Sequence, residues 1–244
     1  MKESSLEYLV CPSCHARFDL TIRSADGGEV MDAELQCTGC ALRYPVRSGV
    51  PRFIRTDGPG PPNSTAAAFG WEWRAFSRID EHHERQFLDW IAPADRGIFR
   101  DRVVVEGGCG KGRHTRLAAR WGARAVIGVD LSDAVDVAFE NTRCEKNVHI
   151  VQADLLRLPL RPGSCDYAFS VGVLHHLEDP GSGFKSLFRV VRPHGAMSIW
   201  VYGAENNAWV VRLVSPLRRG VTARLPPRGL YLLSGAMAVP LLAA

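Results

Sequence analysis

Val103-Val-Val-Glu106-Gly-Gly108-Cys-Gly110-Lys-Gly112-Arg-His-Thr115 is the stretch whose reading decides the fold. Its β-branched start predicts a short strand that ends at Glu106. A glycine-rich turn follows, and glycine lets a backbone take positive φ and come close to a ligand. A helix then begins near Arg113, and a helix N-terminus offers free N–H groups to a carboxylate. Strand, glycine turn and helix in this order point to a nucleotide-cofactor site, and spacing separates the candidates. A dinucleotide fingerprint is G-x-G-x-x-G after the strand. Glycines at 108 and 110 would then need a third at 113, where the chain has Arg113. The GK[ST] ending of a P-loop is absent as well. The pattern is E-x-G-x-G-x-G.

Outward from this turn, residues 102–203 alternate between β-rich runs and helical stretches. Strands are expected at 102–105, 125–129, 147–151, 165–171 and 196–202, and helices at 114–121, 132–144 and 183–191. Such alternation predicts an α/β fold, a doubly wound and mostly parallel sheet with helices on both faces. Residues 65–101 read as helical, with Trp71, Trp73, Phe87 and Trp90 supplying apolar faces. The Phe69-Gly-Trp71-Glu-Trp73-Arg74 segment either closes over a cofactor or packs as plain helix. Asp57-Gly-Pro-Gly-Pro-Pro-Asn-Ser64 is a linker, because it continues neither helix nor sheet. Four pieces result: 1–56, a linker and helical segment over 57–101, the α/β domain over 102–203, and a tail over 204–244.

Further fragments sharpen the cofactor. Val126-Ile-Gly-Val-Asp130-Leu-Ser ends the second strand in an acid, and an acid there can accept from ribose hydroxyls. Val151-Gln-Ala-Asp154-Leu-Leu-Arg-Leu-Pro159 ends the third. Cys165-Asp166-Tyr-Ala-Phe-Ser170-Val-Gly-Val-Leu174-His-His176-Leu forms the fourth strand and its loop, and Val190-Val-Arg-Pro-His-Gly195 precedes the fifth. In this order, over roughly 69–203, the fragments resemble class I S-adenosylmethionine-dependent methyltransferases, in the type 11 group that includes quinone and small-molecule methyltransferases. The resemblance implies a Rossmann-like fold and S-adenosylmethionine as cofactor. It implies a binding set of Glu106, Gly108, Gly110, Gly112, Asp130, Leu131, Asp154, Leu155 and Ser170. Glu106 would lie near the cofactor's amino-acid end, Asp130 at the ribose and Asp154 at the adenine amino group. Where family members read Lys/Arg-Pro-Gly-Gly, this chain has Arg192-Pro-His194-Gly195, a departure expected in a surface turn. The family sheet ends in an antiparallel hairpin beyond the fifth strand. Residues 204–244 hold no alternating pair with a turn between, so helices are expected at 207–214 and 229–239 and the hairpin is expected to be missing.

The N-terminal piece carries Cys11-Pro-Ser-Cys14 and Cys37-Thr-Gly-Cys40. Two CxxC knuckles supply four thiolates, which suits tetrahedral, structural Zn2+. A redox pair is the alternative. With Leu9-Val-Cys-Pro-Ser-Cys14, Leu35-Gln-Cys-Thr-Gly-Cys40 and Tyr44-Pro-Val-Arg-Ser-Gly-Val-Pro-Arg-Phe53, residues 6–55 resemble the small zinc-ribbon proteins that activate eukaryotic and archaeal methyltransferases.

Composition bounds the rest. The chain has 244 residues, 46% hydrophobic and 23% charged, an ordinary globular balance. Met1 to Val10 is polar and reads as no signal peptide, so a cytoplasmic protein with reduced cysteines is expected. Cys109, Cys144 and Cys165 read as buried small hydrophobes. The net charge of +4 concentrates in the tail, where five arginines face one acid, Glu205. Such a tail suits an anionic surface, so peripheral membrane association is expected there. Residues 1–56 balance seven basic against seven acidic groups, which disfavours phosphate binding by the ribbon. The expected acceptor is therefore small or lipid-like, with RNA as runner-up and a non-catalytic partner-binding adaptor as the other class. His176 is the candidate general base; His175 reads as core.

Overall fold

Asp26 and Glu29 bracket Gly27 and Gly28, which both hold positive φ (56° and 82°) and make a two-residue hairpin turn. In the computed structural model, which describes residues 1–54, 64–79, 83–203, 229 and 231, this turn joins β1 (Phe18–Asp26) to β2 (Glu29–Cys37). β3 (Arg43–Arg47) and β4 (Val50–Pro51) complete a four-stranded antiparallel sheet in sequence order. β2 alternates as a one-face-buried strand should, with Ala33, Leu35 and Cys37 inward.

Beyond it come α1 (Ser64–Ala75) and α2 (His83–Ile91), then β5 (Val103–Gly107), α3 (Arg113–Arg120), β6 (Ala125–Asp130), α4 (Ala134–Thr142) and β7 (Val148–Gln152). β8 (Cys165–Val171), α5 (Pro180–Val190) and β9 (Val191–Trp200) follow. The five strands are all parallel, in the order β7-β6-β5-β8-β9. β5 to β8 are buried on both faces, which explains their unbroken apolar runs. The chain moves outward through β5, β6 and β7, then returns to place β8 beside β5. Right-handed crossovers then put α3 and α4 on one face and α5 on the other.

The β7-to-β8 crossover holds only a short 3₁₀ turn, Leu155–Arg157. The N-terminal module covers the face that a crossover helix would otherwise cover. Leu9, Phe18, Leu35, Tyr44 and Phe53 join Val105, Ile127, Val151 and Leu155 in one apolar cluster. Backbone bonds clasp the two together: Val10 N–H to Pro159 O (2.9 Å), Arg161 N–H to Tyr8 O (3.0 Å) and Phe53 N–H to Gln152 O (2.8 Å). Met1–Val201 accordingly forms one compact unit, and Tyr202–Ala244 a second.

Three expectations need correction. Cys144 is exposed rather than buried. α5 starts at Pro180, not 183, because Asp179 caps it by accepting the Ser182 N–H at 3.0 Å. β9 starts at Val191, not 196. His194 lies inside its span at φ 63°, where the pairing jumps from Cys165↔Val191 to Tyr167↔Ala196. The expected turn is thus a bulge, and His194 takes the backbone conformation that glycine adopts more readily. The linker at 57–64 lies almost entirely outside the described residues. So do the tail helices at 207–214 and 229–239, the missing hairpin and the membrane-facing tail. No described helix is long and apolar enough to cross a membrane.

Candidate cofactor cavity and metal centre

Open α/β sheets bind ligands outside the carboxyl ends of their strands, where strand order reverses. In this chain that point is the gap between β5 and β8, and a cavity of about 150 Å³ sits there. Glu106, Gly108 and Gly110 reach it from the end of β5, Asp130 and Leu131 from β6, and Asp154 and Leu155 from β7. His176 reaches it from the loop after β8. Gly108 and Gly110 stand at φ 80° and 52°. A Cβ on Gly108 would meet Val173 at 2.3 Å, and one on Gly110 would meet the Trp73 indole nitrogen at 2.9 Å, so both positions require glycine.

The carboxylates are held by their neighbours. Asp130 Oδ2 accepts the Gly110 N–H (2.8 Å), and Oδ1 accepts both the N–H and the hydroxyl of Ser132 (2.8 and 2.7 Å). Burial raises its pKa, and these donors oppose the rise. Glu106 is 2% exposed; the Thr115 hydroxyl donates to one oxygen, and His114 Nδ1 lies 3.4 Å from the other. Asp154 caps the following 3₁₀ turn by accepting the Leu156 N–H at 2.9 Å. Burial lowers the His114 pKa, so its ring is neutral near pH 7. Its Nε2 is buried without a hydrogen-bond partner among the described residues.

α1 forms one wall, with Phe69 and Trp73 in the lining but not Trp71. Lys111 secures it, donating to the carbonyls of Phe76 (2.8 Å) and Arg78 (2.7 Å) while its ammonium stands 5.2 Å from the Trp73 ring centre. At the mouth His176 packs against Phe69, with ring centres 5.2 Å apart. Two predicted binding residues lie outside the lining. Gly112 precedes α3, where a Cβ would meet Ala138 at 3.2 Å, and Ser170 donates to Gly107 O at 2.8 Å inside the sheet. Sequence reading missed Lys111, His114 and Val173 in the lining. Lys111 and His114 sit inside the glycine motif, but no spacing rule distinguishes them.

Cys11, Cys14, Cys37 and Cys40 bring their sulfurs within 4.8 Å of one another. Two pairs stand at 3.7 and 3.3 Å. Tetrahedral zinc at about 2.3 Å from each sulfur sets them about 3.8 Å apart, so the cluster is suited to the ion. The Gly39 and Cys40 N–H groups both point at Cys37 Sγ (3.4 Å each). At Cys37 burial works against the thiolate, but these amides and the neighbouring thiols outweigh it and bring the thiol down to about 6.

Residues 105–199 match the family model described as a methyltransferase domain, and residues 2–49 match the one described as Trm112p-like protein. The chain carries a methyltransferase domain behind a Trm112p-like module. Over 55% of its length it is 36% identical to a malonyl-[acyl-carrier protein] O-methyltransferase of Pseudescherichia vulneris, covering 52% of that protein. Over 57% it is 31% identical to a tRNA U34 carboxymethyltransferase of Psychromonas ingrahamii, covering 41%. The chain thus spans about half or less of these relatives' length. A solved structure described as a candidate sarcosine dimethylglycine methyltransferase of Galdieria sulphuraria shares the fold. It is 16% identical, with TM-score 0.51, over 62% of this chain and 67% of that one. The methyltransferase domain fits S-adenosylmethionine on its own geometry: two glycines whose Cβ atoms would clash, a buried ring nitrogen of His114 with no partner among the described residues, and carboxylates spread along one cavity.

Proposed function

We propose that this chain transfers a methyl group from S-adenosylmethionine to a nucleophilic acceptor, with the cofactor in the cavity between β5 and β8. One observation carries the reading: Glu106, the Gly108–Gly110 turn, Asp130 and Asp154, from three strand ends, line a single cavity. When bound, the cofactor supplies a methyl group already activated on a sulfonium. The protein's part is to bind, orient and exclude water. In this reading Glu106 faces the cofactor's ammonium, Asp130 its ribose, and Asp154 with the Leu155 backbone its adenine. Ser170 and Gly112 act as positioning residues, fixing Gly107 and the start of α3. His176 accepts a proton from an oxygen or nitrogen acceptor at the mouth. The four cysteines hold structural zinc, and the Trm112p-like module acts as a built-in activator that covers the sheet beside β7.

Phe69, Val173 and Leu177 make the mouth apolar beside His176, which favours a small or lipid-like acceptor. RNA is the second reading, favoured by an arginine-lined groove described below and by the tRNA-modifying relative. Labelled cofactor is incubated with protein and cell extract, and the extract is split into lipid, small-molecule, RNA and protein fractions. Label in the first two supports the reading, and label in RNA supports the second. No label in any fraction, with cofactor binding intact, leaves a non-catalytic adaptor.

A further inference from the structure

At the opposite ends of the strands from the cofactor cavity, the module and the methyltransferase domain flank an open groove of about 950 Å³. Val103 opens β5, Arg124 immediately precedes β6 and Ser164 immediately precedes β8, so the sheet's amino-terminal edge forms one wall. Tyr8, Arg17 and Phe18 of the module form the other. Three arginines therefore meet across the seam: Arg17, Arg124 and Arg161. Counting charge piece by piece hides this, because the module is neutral alone and the other two arginines come from distant parts of the chain.

The main chain beneath each arginine is fixed. Arg161 N–H is held by Tyr8 O, Arg124 N–H by Arg102 O (2.9 Å), and Arg17 O accepts both the N–H and hydroxyl of Thr38 (3.0 and 3.1 Å). Glu7 is the acid in the lining. Asp166, behind the wall, is already committed to the Val103 N–H at 2.6 Å and to Arg192 at 2.8 Å, while Arg124 stands off at 3.8 Å. Arg124, 64% exposed, is left to face the groove without tight neutralisation.

Guanidinium forks suit phosphate oxygens, and Tyr8 and Ser164 add hydroxyl donors to the same lining. Phe18 and Val103 are buried, Leu6 and Tyr8 are half-buried and Pro162 is exposed, so the groove presents little apolar surface to a bilayer. Its apolar exposure is confined to Pro162 and parts of Leu6 and Tyr8, less than the aromatic-rich centre that a protein partner would bury. An open, arginine-lined groove with the half-buried Tyr8 ring beside it matches a single strand, whose backbone follows basic grooves and whose bases stack on aromatic rings. We propose that this groove binds the phosphodiester backbone of single-stranded or loop RNA, a docking site separate from the cofactor cavity and independent of the methyl-transfer reading.

The test is fluorescence anisotropy with a labelled single-stranded RNA of about 12 nucleotides, titrated from 50 to 200 mM salt, on the full chain and on the Arg124→Ala/Arg161→Ala double variant. Three phosphate contacts on a single strand give a slope of log K against log salt of about −2, and one remaining contact about −0.7. The variant should bind at least tenfold more weakly with the shallower slope. Its S-adenosylhomocysteine affinity should stay unchanged, which confirms folding. Absence of wild-type binding, a slope near zero, or an unaffected variant would overturn the proposal. Equal affinity for polyglutamate would also overturn it, by assigning the groove to an acidic protein. Preference for phosphatidylserine vesicles would assign it to a membrane. RNA binding without any S-adenosylhomocysteine binding would instead sink the methyl-transfer reading and leave the groove standing.

Discussion

Asp130 shows how the cavity is built residue by residue. Its carboxylate accepts three hydrogen bonds from Gly110 and Ser132, so it fixes the glycine turn while keeping a lone pair for a ligand hydroxyl. Replacing Asp130 with Ala would remove the proposed ribose contact and leave the Gly110 N–H without its acceptor. S-adenosylmethionine affinity is expected to fall more than tenfold, in line with about 1.5–3 kcal/mol for a hydrogen bond to a charged group. Titration calorimetry reads this directly, and an unchanged dissociation constant contradicts the ribose assignment. At this scale the sequence was readable where the backbone has no freedom. Gly108 and Gly110 had to be glycine, and Asp130 had to end its strand. His114 and Lys111 were not legible. Their places in the lining come from Glu106 on the adjoining strand beneath one and from the carbonyls closing α1, more than thirty residues earlier, above the other, contacts that no spacing within the motif announces.

Among the elements, the N-terminal module departs most from a sequence-level picture of a separate ribbon on a linker. Both CxxC knuckles and the strand-rich character were plain, yet the packing was not, because it depends on a crossover that lacks a helix. With its apolar residues in one cluster with the sheet's, metal loss should be felt beyond the module. Elemental analysis is expected to give one zinc per chain, and chelation to lower the melting temperature of the whole Met1–Val201 unit by more than about 5 °C. An unchanged sheet transition after zinc removal would show that the module folds and fails alone. His149 on β7 sits at the same seam, with Ser5 Oγ 2.8 Å from its Nδ1. Burial, and then the Lys2 charge, push its pKa down to about 4. The unfolded chain takes up this proton near pH 6.5 while the folded chain refuses it until about pH 4. Stability is therefore full above 6.5 and falls as pH drops through that window, by up to about 3 kcal/mol. Urea denaturation of wild type and His149→Gln at pH 7 and 4.5 checks this. The variant should lose less on acidification, and equal losses would refute the assignment. The start of α5 was missed because Asp179-Pro180-Gly181-Ser182 has the composition of a loop, although Asp before Pro is also a helix-start signal.

For the molecule as a whole, strand alternation and the reversal of strand order set the fold and the place of the cavity together. Once β8 returns beside β5, the ends of β5, β6 and β7 must present Glu106, Asp130 and Asp154 to one space. This much was legible, because buried parallel strands leave unbroken apolar runs and their ends leave acids and glycines. The seam groove was not, since it exists only where the module meets the domain. The most direct test of the central claim is calorimetry of S-adenosylhomocysteine and of NAD against the purified chain. Both ligands share an adenosine that Asp130 and Asp154 could hold, and they differ at the Glu106 end. The account predicts one-site micromolar binding of S-adenosylhomocysteine and none of NAD; binding of NAD alone would contradict it.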